Sequence, residues 1–177
     1  MTSNAPEGQR ILGTLRSENG EGIVQMEDRY DTDIDDLWSA MTDPERLVRW
    51  WGKVDGDLRP GGEFRFVIPN ALEGVGRVDA CDPPRQLSVT MRDEDPRPGQ
   101  PAETVLEARL TAEGDQTVLV VEERGLPLHL LAAYGAGIQI HVENLADHLA
   151  GRERGDDEAR WSELLPAYEG MAPASDG

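Results

Sequence analysis

The hydrophobic period changes in the last third of this chain, and that change limits the folds open to it. Between Glu63 and Glu123 apolar residues recur at every second position in short runs. Phe64, Phe66 and Ile68 form one run, Leu87, Val89 and Met91 the next, then Leu106, Ala108 and Leu110, then Leu119 and Val121. From about Pro127 to Ala150 the spacing becomes three and four, through Leu130, Leu131, Tyr134, Ile138, His141, Val142, Leu145 and Leu149. Alternation marks strands with one buried face, and the later spacing marks a helix with an apolar stripe. Turn chemistry separates the runs at Pro83-Pro84, across Asp93 to Ala102 and at Gly114-Asp115, which suits antiparallel neighbours. A sheet with one apolar face must bury that face, and the long helix is the element large enough to cover it.

The N-terminal part supplies a further strand and two short helices. Ile23 to Tyr30 alternates, with Val24, Met26, Asp28 and Tyr30 on one face, after an extended piece at 11–16 and a turn at Asn19-Gly20. Asp33 caps a helix predicted from Ile34 to about Met41. Asp43 followed by Pro44 starts a second helix to about Trp51, which Gly52 ends. Past Gly151, Ala159 to Tyr168 reads as a turn or two of helix stopping at Pro166. Residues 1–10 are polar and expected to be loose, and 170–177 to be a disordered tail, leaving 11–169 as one domain.

The block from Asp36 to Phe66 carries three of the four tryptophans in a chain poor in aromatics. It reads Leu37-Trp38-Ser39-Ala40-Met41-Thr42-Asp43-Pro44, then Trp50-Trp51-Gly52, then Pro60-Gly61-Gly62-Glu63-Phe64. This order resembles the SRPBCC (START/Bet v 1-like) superfamily, in the branch named after the activator of the Hsp90 ATPase. The resemblance covers roughly Ile23 to Leu149. It implies an α+β helix-grip fold, a curved antiparallel sheet wrapped around a long C-terminal helix with two short helices after the first strand. It also implies an internal pocket for an apolar or amphipathic small molecule between sheet and C-terminal helix.

Composition excludes several other functions. A net charge of −18, with Lys53 the sole lysine, argues against nucleic acid and anionic membranes as partners, because phosphate binding needs a basic stripe. No run approaches the roughly 20 apolar residues of a membrane span, and the first residues lack a secretory signal. The single cysteine, Cys81, forms no internal disulfide, which agrees with a cytoplasmic location; it reads as a small apolar residue and not a nucleophile. No phosphate-binding loop, dinucleotide fingerprint or zinc spacing is present, so no cofactor or metal is expected. His141 and His148 would stand about 10 Å apart along a helix, too far to share a metal.

The pocket is expected to be lined by Tyr30, Trp51, Phe64, Phe66, Arg77, Met91, Tyr134, Ile138, His141 and Leu145. His141 lies on the helix face expected to look inward, where an imidazole either orients a ligand or is satisfied by neighbouring backbone. Glu123 continues the inward face of Leu119 and Val121, so its carboxylate either sits under the helix with a raised pKa or is solvated at the strand end. Arg77 either meets a ligand carboxylate or faces water. Trp38 reads as an anchor to the core, and of the adjacent Trp50 and Trp51 one is expected near the cavity entrance. Glu143 with Asp147 reads as a solvated face.

Three functions follow. The first is binding of a hydrophobic small molecule in the cavity. The second, implied by the resemblance, is a protein-interaction or co-chaperone-like module, with a protein partner or a homodimer. The third is a cyclase- or hydrolase-like enzyme using His141 and Glu123 as a proton-transfer pair, which requires the two side chains to converge.

Overall fold

The computed structural model describes residues 10–173 apart from Asn70. Eight strands, β1 (Gly13–Glu18), β2 (Glu21–Tyr30), β3 (Lys53–Gly56), β4 (Glu63–Ile68), β5 (Leu72–Asp82), β6 (Gln86–Asp93), β7 (Glu103–Glu113) and β8 (Gln116–Leu126), form one sheet. Their spatial order is β1-β2-β8-β7-β6-β5-β4-β3, with every pairing antiparallel. Two helices, α1 (Ile34–Thr42) and α2 (Pro44–Trp50), separate β2 from β3. Two more, α3 (Leu131–Leu149) and α4 (Asp157–Glu169), follow the sheet. This is the helix-grip fold.

The alternation places the predicted inner residues on one buried face. Val24, Met26, Asp28 and Tyr30 of β2 are all buried, as are Phe64, Phe66 and Ile68 of β4. Two cross-strand rows organise that face. One runs Val78, Val89, Leu106, Glu123, Val24 and Leu15 from β5 to β1. The other runs Cys81, Leu87, Ala108, Val121, Met26 and Gly13. Side chains directly opposite on one face are neighbours, so each row is a continuous line of contacts across the sheet.

Gly74 and Gly76 of β5 make room on this face. They pair with Phe66 and Phe64, and a Cβ on Gly76 would lie 2.2 Å from the Phe64 ring. The glycines let both rings lie flat across the neighbouring strand.

The two halves of the sheet are covered differently. α3 packs chiefly on β2 and β1 and is backed by α4. Gly135 permits this close packing, since a Cβ there would sit 2.7 Å from the Tyr168 ring of α4. Fully buried Gln139 of α3 ties the seam together: its Oε1 accepts from the Leu12 N–H at 3.1 Å and from the Tyr168 hydroxyl at 2.5 Å. Its Nε2 donates to the Arg10 carbonyl at 2.6 Å and to Glu143 at 3.0 Å. Arg160 of α4 clasps Glu143 through two nitrogens, at 2.8 and 2.6 Å. Glu143 is therefore a seam residue and not part of a solvated face.

Other details depart from the expected pattern. β3 has too few residues to show a period, and it forms because Lys53 to Gly56 pairs with Val67 to Phe64 of β4. α4 runs through Pro166 to Glu169, started by Asp156, whose carboxylate accepts from the Glu158 and Ala159 N–H groups. Proline removes one intrahelical donor, a loss that the packing of Leu164 and Tyr168 against the core offsets. Residues 1–9 and 174–177, where looseness was expected, lie outside the described residues. Gly170 and Met171 continue from α4 with N–H bonds to Pro166 and Tyr168.

Candidate ligand-binding cavity

The other half of the sheet is roofed by α1 and α2, whose geometry follows from their caps. Asp33 accepts from the Asp36 N–H at 2.8 Å, and Asp43 both ends α1 and caps α2, accepting from the Glu45 N–H at 2.9 Å. Arg46 locks α2 to its surroundings, donating to the Asp36 carbonyl and carboxylate and to His148 of α3. Beneath this roof lies a cavity of about 290 Å³. Its floor is the first three positions of both cross-strand rows: Val78, Val89 and Leu106, with Cys81, Leu87 and Ala108. Val54, Leu58, Phe64 and Met91 form its walls, and Trp38, Met41, Thr42, Leu47, Trp50 and Trp51 its roof.

The lining is apolar in effect as well as in composition. The Trp50 indole N–H donates to the Ala40 carbonyl at 2.9 Å, and the Thr42 hydroxyl donates to the Trp38 carbonyl at 2.7 Å. Burial raises the Cys81 thiol pKa, and nearby Asp82 adds to the shift, so the sulfur presents itself uncharged. An apolar space near the lower end of ligand-site volumes suits a small hydrophobic molecule and leaves water poorly bound.

This cavity takes in only part of the set expected to line the pocket. Trp51, Phe64 and Met91 line it, but Tyr30, Phe66, Tyr134, Ile138, His141 and Leu145 do not. Phe66 and Leu145 are fully buried core residues, and Tyr30 is buried with its hydroxyl donating to the Val142 carbonyl at 3.2 Å. The cavity lies under α1 and α2 because α3 and α4, drawn in by Gly135 and Gln139, fill the other half. Arg77 faces outward and pairs with Asp79 at 2.8 Å. Trp38 belongs to the roof instead of serving only as an anchor. Both Trp50 and Trp51 reach the cavity, because α2 ends between them and the chain turns at Trp51.

His141 and Glu123 form no hydrogen bond with each other among the described residues. His141 lies against the Trp51 ring, 6.5 Å between centroids, with Arg154 and Asp157 as its charged neighbours. Burial, reinforced by Arg154, pushes its pKa down to about 4 against the opposing pull of Asp157 and a backbone bond with Trp50. Its Nδ1 is sealed from solvent and has no hydrogen-bond partner among the described residues. Glu123 is buried on β8, accepting from the Thr104 hydroxyl at 3.0 Å. Burial raises its pKa to about 7, with the Thr104 bond opposing. The Tyr134 hydroxyl on α3 is pushed up to about 12, first by burial and then by Glu123 and Asp93. The two candidates thus sit in separate electrostatic surroundings.

A family profile described as "Activator of Hsp90 ATPase homolog 1-like protein" matches residues 31–150, more than half of the chain. The chain belongs to that family, which lies within the SRPBCC superfamily. Among solved structures, it is similar to CalU16 from Micromonospora echinospora, with 28% identity over 92% of this chain and 96% of that one, and a TM-score of 0.73. It is also similar to MLL2253 from Mesorhizobium loti, at 25% identity over 72% of this chain and 96% of that chain, TM-score 0.65. DynU16, described as a putative protein in the dynemicin biosynthetic locus, matches at 25% identity over 76% of this chain, TM-score 0.67. That match spans 50% of DynU16 itself. No curated protein matches the chain.

Proposed function

We propose that the protein binds a small hydrophobic molecule in the cavity roofed by α1 and α2. The observation that carries this reading is the cavity's lining, in which the polar atoms of Trp50 and Thr42 are already satisfied within the helices. An apolar guest gains the burial of its surface there without competing against internal hydrogen bonds. A protein-docking module built on apolar contact would present a broad exposed apolar patch. Among the described residues the exposed large apolar side chains are Val48, Val67 and Met171, too few to make one. No helix of the described residues is long and apolar enough to cross a membrane. The lone thiol of Cys81 at the floor suits the reducing cytoplasm.

A thermal-shift screen with neutral aromatic and aliphatic compounds tests the reading. Ligand at a hundredfold excess over its Kd raises stability by about 2.7 kcal/mol, a readily measured shift. A diverse library without a single stabilising compound would contradict it.

A further inference from the structure

The two cross-strand rows differ at one place. The Cys81 row passes from the cavity floor at Ala108 to Val121 and Met26, both apolar and buried under α3. The other row passes from Val78, Val89 and Leu106 to Glu123, so the next side chain after the cavity floor is a carboxyl. Its hydrogen-bonded partner Thr104 is itself cross-strand from Met91, which lines the cavity wall. Leu106 and Met91 thus stand between the cavity and the carboxyl. Both are incompletely buried, and methionine in particular reorients at little cost. Beyond Glu123 the row continues with Val24 of β2, which is fully buried.

Resting on the binding function proposed above, we infer that the cavity's ligand is a hydrophobic amine, its apolar body under the tryptophans and its nitrogen directed at the Glu123 carboxyl. Four further observations favour an amine over a neutral or acidic guest. Among the described residues the carboxyl accepts one hydrogen bond, from Thr104, and pairs with no cation, so a buried acceptor stands ready for a donor. The groups shown to interact with it are Thr104 on β7 and Tyr134 on α3, neither of them basic. Trp38, Trp50, Trp51 and Phe64 surround the rest of the space, and aromatic faces attract organic cations. The net charge of −18 concentrates cations near the protein and repels acids.

The proton balance is explicit. The amine enters from water as R–NH3⁺ and pairs with the carboxylate form of Glu123. Where Glu123 is protonated before binding, its proton leaves to solvent, and where it is already ionised none is released. Amine affinity therefore rises with pH until Glu123 is ionised and then levels off. That limit lies near neutrality, because burial holds the carboxyl pKa at about 7.

The test compares 4-phenylbutylamine, 4-phenylbutan-1-ol and 4-phenylbutanoate, one carbon skeleton with three head groups, by calorimetric titration at pH 5.5 and pH 8. The expected result is a preference for the amine over the alcohol of about tenfold at pH 8, shrinking at pH 5.5, with the acid weakest. Glu123→Gln keeps the side chain's shape and its contact with Thr104. It should bring amine affinity down to that of the alcohol. An amine that binds no better than the alcohol, or keeps its preference in Glu123→Gln, overturns the inference and leaves the cavity reading standing. Failure of all three compounds to bind overturns both.

Discussion

The two halves of this sheet start from similar strands and end differently. Under α3 and α4 the inner face is filled: Leu131, Leu145 and Tyr168 are fully buried, and Gln139 makes three hydrogen bonds across the seam. Under α1 and α2 the inner face opens into about 290 Å³. The difference comes from the covering elements. α3 is 19 residues long and α4 backs it, whereas α1 and α2 have 9 and 7 residues. Short helices capped by Asp33 and Asp43 can bridge the sheet without pressing into it, so their large aromatic side chains rim a space instead of filling one. Stability is concentrated in one half, and the capacity to take a guest lies in the other.

Removing packing should therefore cost unequal amounts on the two sides. Leu145→Ala should lose about 4 kcal/mol in denaturant unfolding, because it leaves a void in a filled core. Leu106→Ala, whose side chain already borders empty space, should lose about 2 kcal/mol. Equal losses would break the comparison.

Titration of two buried groups should move stability in opposite directions. The folded-state pKa of His141 lies below its unfolded value of 6.5, at about 4, so the folded protein binds fewer protons in that window. Stability should fall as pH drops from about 6.5 to 4, by roughly 3 kcal/mol, and His141→Gln should remove that part of the slope. Glu123 behaves conversely, because its folded-state pKa is raised. Its contribution is intact below about pH 4.5 and is lost as pH rises towards 7, by a similar roughly 3 kcal/mol, and Glu123→Gln should abolish that loss. Urea unfolding of both variants from pH 4 to 8 reads the two slopes.

A smaller effect sharpens the seam. Tyr168→Phe removes the hydroxyl that bridges Gln139 and the Gly13 N–H, and should cost about 1.5 kcal/mol. Amide exchange at Gly13 should speed up with it.

Much of the fold was legible in local pattern. Phe64 and Phe66, or Leu106 and Ala108, announce their strand and face through spacing alone, and Asp43-Pro44 announces a helix start. β3 was not legible, because four residues carry no period and pair only through β4. The site was harder to read, because a cavity is what packing leaves over. Its position depends on how closely α3 seats, and that is set by Gly135 against Tyr168 and by Gln139 against Leu12, contacts far apart in sequence. Glu123's inward register was visible in the alternation with Leu119 and Val121. That it borders a cavity floor through Leu106 emerges only from the strand order.

The measurement that bears most directly on this division is a calorimetric titration of 4-phenylbutan-1-ol into two blocked variants. Ala108→Phe fills the floor beneath α1 and α2, and Ile138→Phe enlarges the face of α3 once expected to line the pocket. Loss of binding in Ala108→Phe, with Ile138→Phe binding as the unmodified protein does, is the predicted result. Binding that survives Ala108→Phe and disappears in Ile138→Phe would contradict it.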